Sequence, residues 1–430
     1  MPAVRTAALC ALAVACAAAF HPAGARGQAL RPERCTECHR DLGEERLAAP
    51  ARTYPDDVHA QVGFGCLACH GGDSGHVAAA GFLSRPQRRQ IPRLCGDCHA
   101  DAAYMRQFDP SLRVDQLAEY LTSGHGRRLM GQNDSRVAVC TDCHEVHRIR
   151  PPTDPESGIY PLRVAETCGR CHADSTHMAG RQVPTDQLDA YRGSVHGRLM
   201  YEEEDLSAPT CNDCHGNHGA APPGIGSIRN VCGQCHATMA EFFAQSRHAE
   251  LFQAEGLPGC ETCHGNHDIG PVADEDLADR SADVCTRCHS PADQYGTEFT
   301  TIAQLLDSLK TGFDQSRQIL QQAHNAGMEV SQAQFELEDV NNALTLARSA
   351  VHSFHVDPVK AHVDEGLKLT AAGIERGQAA LRDHSVRRVG LGFSATIIVV
   401  LITGLVFKIR QIEQRAVEAG ADNSDGAGHG

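Results

Sequence analysis

Cysteine and histidine carry the chemistry of this sequence: 18 of its 20 cysteines fall into nine C-x-x-C-H motifs. The motif cysteines are Cys35 and Cys38, Cys66 and Cys69, Cys95 and Cys98, Cys140 and Cys143, Cys168 and Cys171, Cys211 and Cys214, Cys232 and Cys235, Cys260 and Cys263, and Cys285 and Cys288. The histidines that close them are His39, His70, His99, His144, His172, His215, His236, His264 and His289. Chance placement at this composition would give roughly 0.05 such motifs, so the pattern is built. On a helical turn, residues i, i+3 and i+4 share a face. Two thiols at i and i+3 can bond covalently to a porphyrin edge while the imidazole at i+4 reaches the iron. This is the spacing of c-type haem attachment, and nine covalently attached haem c groups are expected. Zinc ribbons also use paired C-x-x-C units, but zinc needs no histidine fixed after every pair. A disulfide scaffold would leave nine adjacent histidines without a role.

A haem iron has two axial positions, and the second ligand separates a carrier from a catalyst. Between Cys35 and Tyr295 there are nine histidines outside the motifs: His59, His76, His125, His147, His177, His196, His218, His248 and His267. Their contexts recur. Ser123–Met130 (SGHGRRLM) and Gly193–Met200 (GSVHGRLM) are near copies, and Gln245–Phe252 (QSRHAELF) is a looser one. Each leads into a motif followed three residues later by His147, His218 or His267, and a plain motif then closes the unit. A divergent copy runs from His59 through Cys66 and His76 to His99. The arrangement reads as one leading haem and four two-haem repeats. A histidine three residues past a motif histidine cannot reach the far face of its own haem, but it can ligate a neighbour. Crossed ligation of that kind forces haems close together. Eight distal ligands follow from the repeats. For the ninth iron the candidates are His177, or His352 and His355 from the following segment, or no protein ligand.

The surrounding elements follow from composition. The chain has 430 residues, no tryptophan, 5% aromatic residues and a formal charge of −15, so a bulky cofactor is expected to fill much of the core. No basic patch is available for nucleic acid, and a basic or dipolar protein partner suits the charge better. Residues 1–27 read as a secretory signal: Arg5, an apolar run from Ala7 to Phe20, then Ala23-Gly24-Ala25. The haem domain occupies 28–295. A helical stem follows at 296–386, with apolar stripes through Ile302, Leu305, Leu306, Leu309 and Phe313, then Leu337, Val340, Leu344, Ala347, Val351 and Phe354, then Val359, Val363, Leu367, Thr370 and Ile374. Asn325-Ala326-Gly327 separates the first two, and Asp357-Pro358 is expected to start the third. An uncharged run from Val389 to Phe407 places a transmembrane helix at 387–408, leaving a cytoplasmic tail at 409–430. The expected fold is mainly α with much irregular loop: two-haem repeats, a helical bundle and one membrane span.

The C-x-x-C-H-G-x-H units, the S-x-H-G leads and the helical tail resemble bacterial multihaem cytochromes of the broad cytochrome c3/c554-like and NapC/NrfH-like superfamily, over Cys35 to about His384. The resemblance implies electron transfer at the outer face of the bacterial cytoplasmic membrane, with the haem domain in the periplasm. The implied partners are a membrane cytochrome b or quinol-oxidising subunit and periplasmic redox proteins. The chain departs from NapC/NrfH members in its C-terminal anchor and haem number, which puts quinol oxidation in doubt. It also lacks the C-x-x-C-K motif of pentahaem nitrite reductases. A terminal reductase of nitrite, hydroxylamine or tetrathionate, with one open haem, is the alternative.

Overall fold

The computed structural model describes residues 35–71, 85–224, 228–277, 283–290 and 295–425. The expected signal at 1–27, His76 and the end of the tail at 426–430 lie outside these residues. The fold is mainly α with long irregular connections, and there is no strand among the described residues. Two compact units divide the chain: one runs to Gly224 and includes Gly265–Pro271, the other comprises Ile225–His264 and everything from Val272.

In the first unit the motifs occupy short helices, among them Leu67–His70, Ile91–His99, Cys140–His144, Pro161–His172 and Cys211–His215. The helix that opens a repeat stops at its histidine because the next residue turns to positive φ: Gly71 at 65°, Glu145 at 66° and Gly216 at 77°. Glycine takes that conformation freely, which explains the C-x-x-C-H-G signature. The closing helices continue instead into Ala100 and Ala173 in right-handed geometry.

Each lead histidine sits in the first turn of its own helix: His59 in Val58–Gln61, His125 in Gly124–Gly131 and His196 in Val195–Glu202. An N-cap side chain precedes each by two residues. Asp57 accepts the His59 N–H, Ser123 that of Gly126, and Ser194 that of Gly197. A Cβ on Gly126 would collide with the Tyr120 carbonyl, and one on Gly197 with the Tyr191 carbonyl. Hence the lead reads S-x-H-G. The Tyr120 hydroxyl donates to Ala138 O at 2.9 Å and the Tyr191 hydroxyl to Pro209 O at 3.0 Å, tying each lead to the motif that follows. Side chains alone make a small core in this unit, with Tyr120, Leu129, Val137 and Val139 as one cluster.

The second unit contains the last lead helix, Arg247–Glu255, the motif helices Glu261–His264 and Asp283–Thr286, and three long helices, Tyr295–Asn325, Ser331–Ala350 and Val356–Asp425. The expected stripes converge: Ile302, Leu306, Leu309, Val340, Leu344, Val359 and Val363 are buried together. Two expectations shift. The second stripe leaves the α-helix after Ala350 through a 3-10 turn, Val351–Ser353, and Phe354 adopts a left-handed φ of 59°. The third helix begins at Val356, so Asp357 lies in its first turn rather than capping it, where a carboxylate still complements the helix dipole. That helix is continuous for 70 residues, about 105 Å, so stem, apolar span and tail share one rod. It is long and apolar enough to cross a membrane, and the window that qualifies is not buried by protein.

Candidate haem sites

An iron bonded to two imidazoles at about 2 Å each puts the ring centres about 6 Å apart. Among the described residues, seven imidazole pairs have that spacing. The centroids of His59 and His99, His70 and His147, His215 and His267, and His248 and His289 are 5.9 Å apart. Those of His264 and His352 are 6.0 Å apart, and those of His125 and His172, and of His144 and His218, are 6.1 Å apart. Every pair joins one motif histidine to one histidine outside the motifs. One spacing recurs, always between a motif histidine and one outside the motifs, and it is right for a metal held between two rings, so the residues fit haem.

The pairing follows a rule. A lead histidine faces the motif that closes its own repeat: His59 with His99, His125 with His172, His248 with His289. A trailing histidine faces the motif that opens the preceding repeat: His147 with His70, His218 with His144, His267 with His215. Backbone bonds hold the trailing segment in place. The first N–H of each lead helix has no intrahelical acceptor. Val58 N–H donates to Ile149 O, Gly124 N–H to Ala220 O and Val195 N–H to Ile269 O, each at 2.9 Å. The acceptor lies two residues past the trailing histidine every time. Each repeat is therefore completed by the next.

The last repeat has no successor, and the stem takes its place. His352, in the 3-10 turn after the second stem helix, supplies the ring facing His264. Phe354 lays its ring 4.0 Å from that of His248. The stem is fixed there by Arg348 on Asp274 at 2.7 Å and Lys310 on Glu275 at 3.1 Å.

Nδ1 is engaged by an acceptor on rings of this set. His59 Nδ1 lies 2.9 Å from Asp57 Oδ1, His215 Nδ1 3.2 Å from Ala221 O and His352 Nδ1 3.1 Å from Ser349 O. Each acceptor lacks a proton, so Nδ1–H donates and Nε2 is left for a metal. Burial, reinforced by neighbouring histidines, lowers the proton affinity of His99, His147, His172, His264 and, to about 4, His144. Metal binding requires the neutral imidazole, so burial favours it. None of the 18 motif cysteines is tied up in a disulfide, so each is available for covalent attachment. The first cysteines of successive motifs meet in three places, Cys95 with Cys140, Cys168 with Cys211 and Cys232 with Cys260. Attachment points of neighbouring motifs thus abut.

His177 forms no ring pair among the described residues. Its N–H caps onto Asp174 in the helix Ser175–Met178, and the ring opposite His172 belongs to His125. His355 likewise forms no ring pair among the described residues; its N–H reaches Ser353 Oγ. Sequence reading missed Asp57, whose signal was an acid at the N-cap position that serine holds in the other leads. It also missed Asp142 and Asp213 inside the motifs. These accept the N–H of Val139 and Thr210 at 2.7 Å and fix the start of their motif helices.

Residues 205–290, which hold four of the nine motifs, match the family model described as Cytochrome c3. No curated protein and no solved structure matches the chain. With the motifs and their facing histidines, the match supports a multihaem c-type cytochrome that binds haem covalently and transfers electrons.

Proposed function

We propose that the chain is a membrane-anchored nonahaem conductor, with every iron held between two histidines. The observation that carries this reading is the set of seven pairs, each of one motif histidine and one histidine from elsewhere. Bound haem would supply a one-electron couple between ferrous and ferric iron. The protein's part is to close both faces of each iron, exclude substrate and water from it, and bring neighbouring attachment points together. The trailing rule assigns His76 to the iron of His39, and His196 occupies the same lead position as His125. Both are proposed ligands, which completes nine. The span from Val389 to Phe407 would hold the haem units on the periplasmic side of the bacterial cytoplasmic membrane, if the expected signal at 1–27 exports them. Electrons would pass between a quinol-linked membrane partner, such as a cytochrome b, and periplasmic redox proteins. The intact mass of the detergent-extracted protein should show nine haem additions, and its oxidised EPR spectrum only low-spin iron. Fewer additions would break the count. A high-spin signal with turnover of nitrite, hydroxylamine or tetrathionate would replace the carrier by a reductase.

A further inference from the structure

The site of His125 and His172 carries an ion pair that clasps it. The helix bearing His125, Gly124–Gly131, runs into a turn in which Asp134 N–H donates to Arg128 O at 3.1 Å. Nine residues past His172, Arg181 closes another turn, its N–H donating to Met178 O at 3.0 Å. Arg181 Nη1 and Asp134 Oδ2 are 2.6 Å apart, so the pair joins the two segments that carry the facing imidazoles. The Arg181 side chain is 8% exposed. Its Nε and Nη2 are buried and find no hydrogen-bond partner among the described residues. Its charge is close enough to bear on His125.

A guanidinium presents five N–H donors in a rigid fork that matches carboxylates two oxygens at a time. A buried charge with unmet donors is costly, so a single carboxylate on Nη1 leaves the fork half used. The remaining edge suits a second anion. A porphyrin of haem brings two carboxylates to the site as part of its own structure. We infer that Arg181 anchors a haem carboxylate at the site of His125 and His172. This rests on the haem reading of that pair. The feature is local to this site: nine residues past the motif histidine, the neighbouring repeats have Phe108 and Gln245, although Asp205 repeats Asp134. A cation held against the carboxylate offsets its negative field at the iron and favours the ferrous state.

The test is a potentiometric titration of the holo-protein as wild type, Arg181→Gln, Arg181→Lys and Asp134→Asn, with the haem count of each taken by mass. The expected result is that R181Q moves one component of the titration to more negative potential and leaves the others in place. R181K keeps that component near its wild-type position, and D134N does not move it negative. If R181Q does not accumulate, R181K still decides the matter, because loss of the fork should make that component more pH-dependent than in wild type. Unmoved components in R181Q, or equal negative shifts in R181Q and D134N, would overturn the inference and leave Arg181 a partner of Asp134 alone. A wild-type protein with no haem on Cys168 and Cys171 would instead refute the haem reading itself.

Discussion

Asp57 sets one lead site apart from the other three. It is 1% exposed, accepts from His59 Nδ1 and from the backbone N–H of His59 and of Ile149, and stands where the other leads have Ser123, Ser194 and Ser246. Burial opposes its ionisation, but these hydrogen bonds outweigh burial and hold the carboxyl below its usual range. An anionic acceptor on Nδ1 makes the imidazole a stronger donor and favours ferric iron. Asp57→Asn should raise the potential of one haem by about 40 mV, the equivalent of roughly 1 kcal/mol for exchanging a charged acceptor for a neutral one. Spectroelectrochemistry of the holo-protein checks this. Glu145 is the other outlier. Its φ of 66° with ψ of −170° belongs to glycine, and the equivalent positions are Gly71, Gly216 and Gly265. Glu145→Gly should stabilise the protein by about 1 kcal/mol, read as a higher denaturant midpoint, since relieved strain exceeds glycine's entropic cost. The motifs were legible residue by residue because covalent attachment fixes their spacing. Asp57 was not, since an acid at an N-cap is ordinary until a ring nitrogen is seen beside it.

At the scale of elements, the lead and trailing histidines produce two kinds of site. The trailing pairs have nearly parallel rings: 16° for His70 and His147, 6° for His144 and His218, 15° for His215 and His267. The lead pairs are steeply inclined: 87° for His59 and His99, 60° for His125 and His172, 63° for His248 and His289. Parallel imidazole planes split the two iron orbitals that bond to them, while crossed planes leave those orbitals nearly degenerate. The oxidised protein should therefore show two low-spin EPR populations, one rhombic and one with a single large g value, both well represented. A spectrum of one rhombic type would contradict the ring geometry. The repeats, the serine caps and the glycine after His125 and His196 could be read from the sequence as local grammar. Which iron each spare histidine faces could not, because the trailing rings cross to the preceding repeat on bonds such as Gly124 N–H to Ala220 O.

For the whole molecule, the stem does more than support. Its stripes were visible in the sequence, and so was the apolar span. His352 stood there as one of several candidates for a ninth ligand, because nothing local marks it. Its selection depends on the 3-10 turn that ends the second stem helix and on the packing of that turn against the final repeat. An array in which each repeat completes its predecessor needs a cap at its end, and the stem provides it. The same stem continues unbroken into the apolar span, so the haem sites nearest the stem are rigidly linked to the proposed anchor. In the proposed conductor both faces of every iron are closed by histidine. Carbon monoxide titration of the fully reduced, detergent-extracted protein tests that closure most directly, with His352→Ala as the opened reference. The wild type should bind no carbon monoxide, and the variant one per molecule. Stoichiometric binding by the wild type would contradict it.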